Sequence, residues 1–169
     1  LNVTNKGVIK PVKFWNIGNE PWLQANRPAT STFAAKVEAY FKPIAEAMKT
    51  ADSTILIYGP DECDYMDYYN DLFGGKNDIT GKVPGHTYYY CDGLSWHRYP
   101  QGSGDPATEG ATDMYQRIVK AKTKVDQVNL KHGRTGKDAL RWGIGEYNSK
   151  GGPEVHTWGN GQMFGAVLG

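Results

Sequence analysis

The sequence predicts an α/β fold of about four parallel βα units. Three observations carry this: short apolar runs alternate with longer amphipathic stretches, each run ends in turn chemistry or polar residues, and the connections are long enough for crossover helices. The runs that read as strands are Val12 to Gly18, Thr54 to Tyr58, Gly93 to His97 and Leu140 to Gly145. Right-handed crossovers between four such strands fit either an open doubly wound sheet or part of a closed barrel, and topology alone leaves both open.

The connections follow in order. From Ser31 to Thr50, Phe33, Val37, Tyr40, Phe41, Ile44 and Met48 recur at helical spacing, while Lys36, Glu38, Lys42 and Glu46 lie elsewhere. Pro43 interrupts that helix and should kink it or remove one backbone hydrogen bond. A shorter helix is expected over Asp64 to Phe73, and Gly74 to Tyr90, rich in Gly, Lys, Asn and Pro, reads as an exposed excursion. Met114, Ile118, Ala121, Val125 and Val128 form a second apolar stripe, which ends at the basic pair Lys131 and His132 followed by Gly133. A last helix is expected after Gly159.

Composition narrows the function classes. With 169 residues and 39% hydrophobic content, residues 1 to 169 suffice for one core and one domain. A net charge of +1 gives no field for nucleic acid or an anionic membrane surface, and no apolar run approaches the ~20 residues that span a bilayer. Neither partner is expected. Cys63 and Cys91 fall at opposite ends of neighbouring strands and read as packing residues rather than a disulfide. The four histidines lack metal-ligand spacing and no glycine-rich phosphate loop is present, so neither a metal nor a cofactor is expected. Asp61, Glu62, Asp64 and Asp67 form an acidic cluster that suits a cation or, more simply, a helix N-terminus.

Chemistry concentrates at the ends of the first and last strands. The run beginning at Val12 leads straight into Asn19-Glu20-Pro21, where proline cannot donate to a ladder and pairing stops. The run beginning at Leu140 delivers Glu146 in the same way. In parallel barrels, groups at the C-terminal strand ends converge on one face, so the two carboxylates would share a pocket. Cleavage of a glycosidic bond needs such a pair: one carboxyl protonates the leaving oxygen and the other meets the charge developing on the sugar ring. Taken singly, each motif is also an ordinary strand-ending turn.

Together the motifs resemble those of glycoside hydrolase clan A, the retaining (β/α)8-barrel glycosidases. Trp15-Asn16-Ile17-Gly18-Asn19-Glu20-Pro21 resembles the clan's fourth-strand motif, Tyr58-Gly59-Pro60-Asp61 fits the fifth, Ser95-Trp96-His97-Arg98-Tyr99-Pro100 resembles the sixth, and Ile144-Gly145-Glu146-Tyr147 resembles the seventh. The resemblance implies a partial TIM (β/α)8 barrel covering about strands 4 to 7, with Glu20 as acid/base and Glu146 as nucleophile. It implies that Asn19 binds the sugar 2-hydroxyl and that His97 and Tyr99 position the nucleophile. Trp22 and Trp96 adjoin these motifs and are candidates to stack on sugar faces, packing being the equal alternative; Tyr147 and Trp158 are weaker candidates.

The expected function is hydrolysis, with retention, of a β-linked polysaccharide or oligosaccharide of the cellulase or xylanase kind. The alternatives are a truncated, catalytically impaired half-barrel that binds carbohydrate, and an α/β domain with neither property. Counterparts to the first three strands and the eighth are missing, which suggests a piece of a larger enzyme whose open face a second copy covers as a homodimer. Polymeric glycans are met outside the cell, so a secreted location is expected.

Overall fold

The computed structural model describes residues 12–99 and 106–147, with 106–111 described by backbone alone. Trp158 and the helix expected after Gly159 lie outside these residues. Four parallel strands form one sheet in the order β1-β2-β3-β4: Phe14–Asn16, Leu56–Glu62, Gly93–Arg98 and Arg141–Tyr147. Helix α1 is a single turn at Pro21–Gln24, α2 spans Thr30–Ala51, α3 is a turn at Tyr69–Leu72, and α4 spans Pro106–His132. The sheet curls into a half-barrel with the long helices between successive strands, which is a partial TIM barrel of α/β class.

The elements form for legible reasons. α2 buries Phe33, Ala34, Val37, Phe41 and Ala45, which recur every three or four residues, against the sheet. Pro43 lies on the exposed side and the helix runs through it. Ile44, expected on the apolar stripe, is 43% exposed, at the stripe's edge. α4 presents Met114, Ala121, Val125 and Val128 to the core and stops at Gly133, whose φ of 61° suits glycine at a helix end. On the helix-covered face, Ile57, Leu94 and Trp96 are fully buried, each contributing on the order of 1.5–3 kcal/mol by leaving water.

Three expectations need correction. Asp64 to Phe73 is mostly turns, with only Tyr69–Leu72 helical, because Tyr68, Tyr69, Leu72 and Phe73 pack into the core as a compact aromatic plug. The stretch from Gly74 to Tyr90 is not an exposed excursion: Ile79, Thr80 and Val83 are buried. It is pinned by Asp78, which receives Lys131 and His132 from α4, and by Arg134, which donates to the Thr80 carbonyl. The acidic residues do not act as one cluster, and only Asp67 lies directly ahead of the α3 turn. Asp61 and Glu62 belong to β2, and Asp64 is engaged by Arg98 and Arg117. Cys63 and Cys91 are both free thiols.

The register slips at two points, between Pro60 and Glu62 on β2 and between Trp96 and His97 on β3. Both lie at the C-terminal end of the sheet. A bulge there leaves a residue out of the ladder and re-aims its side chain, and Asp61 and Gly145 are the residues left unpaired.

Candidate active site

Glu20 follows β1 in a left-handed conformation, φ 48° and ψ 47°, uncommon for a residue with a side chain and of a kind found where backbone strain serves a site. Its N–H donates to the Asp61 carbonyl at 2.8 Å. Two residues on, the Trp22 N–H donates to Glu62 Oε1 at 2.6 Å, so the turn carrying Glu20 is tied twice to the end of β2. Glu62 is fully buried and also accepts the Tyr68 hydroxyl at 2.6 Å; burial raises its pKa, against the pull of those donors.

Glu146 is the penultimate residue of β4, with its side chain 46% exposed, and the Tyr99 hydroxyl donates to its Oε2 at 2.8 Å. That bond raises the Tyr99 pKa. His97, at the end of β3, lies between the two glutamates. Its Nδ1 is 3.1 Å from Glu20 Oε1 and 3.5 Å from Glu146 Oε2, while Nε2 is 3.3 Å from Asp61 Oδ2. Burial pushes the imidazole down, but the carboxylates of Asp61, Glu20 and Glu146 outweigh it and bring its pKa to about 9.

Ligand atoms of Glu20, His97 and Glu146 all lie within 4.8 Å of one another. Three such atoms can surround a cation, but a protonated imidazole has no lone pair for one. The concave face beside this cluster holds a cavity of about 230 Å³, lined by residues that include Asn16, Tyr58, Ser95, Gly143 and Gly145.

Glu20, His97, Tyr99 and Glu146 therefore come together, while Asn19 sits exposed next to Glu20. Trp96 does not join them. It is fully buried on the helix side, with Tyr65 and Trp142 as ring neighbours, and no sugar can stack on it; adjacency in sequence placed it one residue from the site but on the opposite face of the strand. Trp22 is half-buried, donates from Nε1 to the Pro28 carbonyl at 2.8 Å and has the Arg27 guanidinium 5.9 Å from its ring centre. Tyr147 is 57% exposed at the end of β4. Asp61 was not singled out for the site by the strand-end motifs; in the fold its carboxylate comes so near Gly145 that a Cβ there would lie 2.2 Å from it.

No family model matches the chain, and no curated protein matches it. Among solved structures, it is similar to AbfB, a family 51 alpha-L-arabinofuranosidase from Bifidobacterium longum, with a TM-score of 0.58 and 21% identity. The match covers 90% of this chain and 30% of that one. This chain thus spans less than a third of its neighbour's length, and what the two share is the fold: a segment of an α/β barrel in which a glycoside hydrolase is also built.

Proposed function

We propose that the chain carries the catalytic carboxylates of a retaining glycoside hydrolase, as one domain over residues 1 to 169. The observation that supports this most is the approach of Glu20 and Glu146. They lie at opposite edges of the sheet, yet have carboxylate oxygens within 4.8 Å of each other and His97 between them. Retention needs two carboxyl groups about 5–5.5 Å apart, close enough for direct attack without an intervening water.

In this reading Glu146 attacks the anomeric carbon, a carboxylate C–O bond forms, and the glycosidic bond breaks as Glu20 gives its proton to the departing oxygen. Glu20 then takes a proton from water, whose oxygen displaces Glu146 and frees the sugar. Tyr99 and His97 orient the Glu146 carboxylate, and Asn19 meets the 2-hydroxyl. The sugar donor is a β-linked polysaccharide or oligosaccharide. The arabinofuranosidase neighbour favours a second reading, an α-L-arabinofuranosyl group, served by the same two carboxylates.

Activated aryl β-D-glycosides and an aryl α-L-arabinofuranoside separate these substrates. Glu146→Gln should lower turnover of the active one by roughly 10⁴-fold or more, whereas unchanged turnover would refute the assignment. Glycan binding without turnover in the parent chain would favour the impaired, carbohydrate-binding half-barrel.

Both edge strands support self-association. Phe14 on β1 is 63% exposed and Trp142 on β4 is 38% exposed, and among the described residues no further strand pairs with the outer edge of either. A second copy covering the open face would bury Phe14, and one lying along the β4 edge would cover Trp142; gel filtration giving a monomer at micromolar concentration would count against self-association. A secreted location follows from the substrate class alone; none of the described helices is long and apolar enough to cross a membrane.

A further inference from the structure

Asp61 touches the parts of the site supplied by the other three strands. Its carbonyl accepts the Glu20 N–H at 2.8 Å, and its Oδ2 accepts Asn16 Nδ2 from β1 at 2.6 Å. The same oxygen lies 3.3 Å from His97 Nε2 on β3. Oδ1 faces Gly145 on β4, where any side chain would collide with it. The residue is 5% exposed, stands out of the ladder at the β2 bulge and has a φ of 60°, an uncommon conformation for a residue with a Cβ. Such an arrangement places a buried carboxylate at one particular point.

That point is the back of the His97 ring. Nε2 has no hydrogen-bond partner and neither does Asp61 Oδ1, so the 3.3 Å contact is an ion pair rather than a directed bond. His97 is the one cationic group that Asp61 meets at ion-pair distance among the described residues. A neutral imidazole in the same place would leave a buried carboxylate without a counter-charge, which is costly.

We propose that Asp61 is a positioning residue. It holds His97 as a cation with Nδ1 turned outward, so that one positive charge is shared between Glu20 and Glu146. The charged groups facing the ring are Glu20 from the β1 turn, Asp61 from β2 and Glu146 from β4, with Tyr99 bound to the last. This rests on the hydrolase reading only for its catalytic consequence, since the charge arrangement exists with or without turnover.

Asp61→Asn tests it, because the amide keeps the size and an acceptor for Asn16 while losing the charge. The measurement is the titration of ¹⁵N-histidine-labelled full chain from about pH 5 to about pH 10, with His97→Gln assigning the ring among the four histidines. In the parent chain, both His97 nitrogens should carry protons at about pH 7, with a midpoint of about 9. In Asp61→Asn, that midpoint should fall by about one unit or more. If the variant also cleaves glycosides, the alkaline limb of its pH profile should shift down with it. A neutral His97 at about pH 7 in the parent chain would overturn the proposal whether or not the variant folds, and so would an unmoved midpoint in a folded Asp61→Asn chain. Absence of turnover on every glycoside, with the titration as expected, would remove the hydrolase reading and leave the role of Asp61 standing.

Discussion

The two ends of the same sheet handle buried charge in opposite ways. At the N-terminal end, Asp92 meets Lys49 and accepts the Ile57 N–H at 2.8 Å, with Arg134 4.0 Å away. Arg134 also donates to the carbonyls of Thr80 and Cys91 at 3.0 and 2.9 Å. Two cations share one anion, and carbonyl oxygens accept from Arg134 Nε and Nη1. At the C-terminal end, three carboxylates crowd one imidazole, and two of the residues that supply them hold left-handed backbone. The first arrangement closes the fold. The second keeps charge of one sign in reach of solvent, as sites that move protons and stabilise cationic transition states do.

Removing the anion from the closed end tests whether the two ends differ in kind. Asp92→Ala would strand Lys49 and Arg134, both 2% exposed, and leave the Ile57 N–H without its acceptor. A loss of about 3–5 kcal/mol in denaturant unfolding is expected. A loss under about 1 kcal/mol would mean that water already reaches these groups and that the two ends do not differ in kind.

Much of this contrast was legible in the sequence at the open end and little at the closed one. Glu20 and Glu146 sit at strand ends, and the period-two geometry of a parallel sheet sends such ends to one face wherever the strands run side by side. The α2 stripe matches both ends of that helix within a residue, whereas the α4 stripe marks only its C-terminal stop and not its start at Pro106. Of the two readings open for Trp96, packing holds, because adjacency to His97 carries no information about facing: successive residues of a strand point to opposite sides. Asp61 looked like one member of an acidic run. Only the bulge, set by pairing with β3, turns it into the site. The Lys49, Asp92 and Arg134 knot joins three distant segments, none with a motif, and its members meet solely through tertiary packing. The stretch from Gly74 to Tyr90 looked exposed by composition, yet its few apolar residues outweigh its glycines once α4 offers Lys131 and His132 to hold Asp78.

That last anchor gives the next prediction. Burial opposes ionisation of Asp78, but the Thr80 hydroxyl and N–H, His132 and the Gly74 N–H together hold its pKa at about 2, below the usual 3.8. A carboxyl depressed in this way stabilises the fold throughout the range above about pH 4. The contribution is lost as pH falls toward 2. Asp78→Asn should cost about 2 kcal/mol near neutral pH and almost nothing at about pH 2, since a shift of one unit is worth ~1.4 kcal/mol. Denaturant titrations at the two pH values measure the difference. An equal cost at both would show that Asp78 acts through shape rather than charge.

The smallest expected effect lies at the open end and separates stability from chemistry. Glu146→Gln removes a negative charge from a cluster that already holds Glu20 and Asp61, and the amide oxygen can still accept the Tyr99 hydroxyl. His97 loses one attractive partner but keeps the nearer Glu20 and the buried Asp61. Relief of like-charge crowding and loss of one ion pair, on a side chain that is 46% exposed, should nearly cancel. Unfolding stability should therefore move by less than about 1 kcal/mol in either direction, in the same variant whose glycoside turnover is expected to collapse. A loss of about 3 kcal/mol or more would mean that Glu146 is as structural as Asp92, because only a charge that the fold depends on is costly to neutralise.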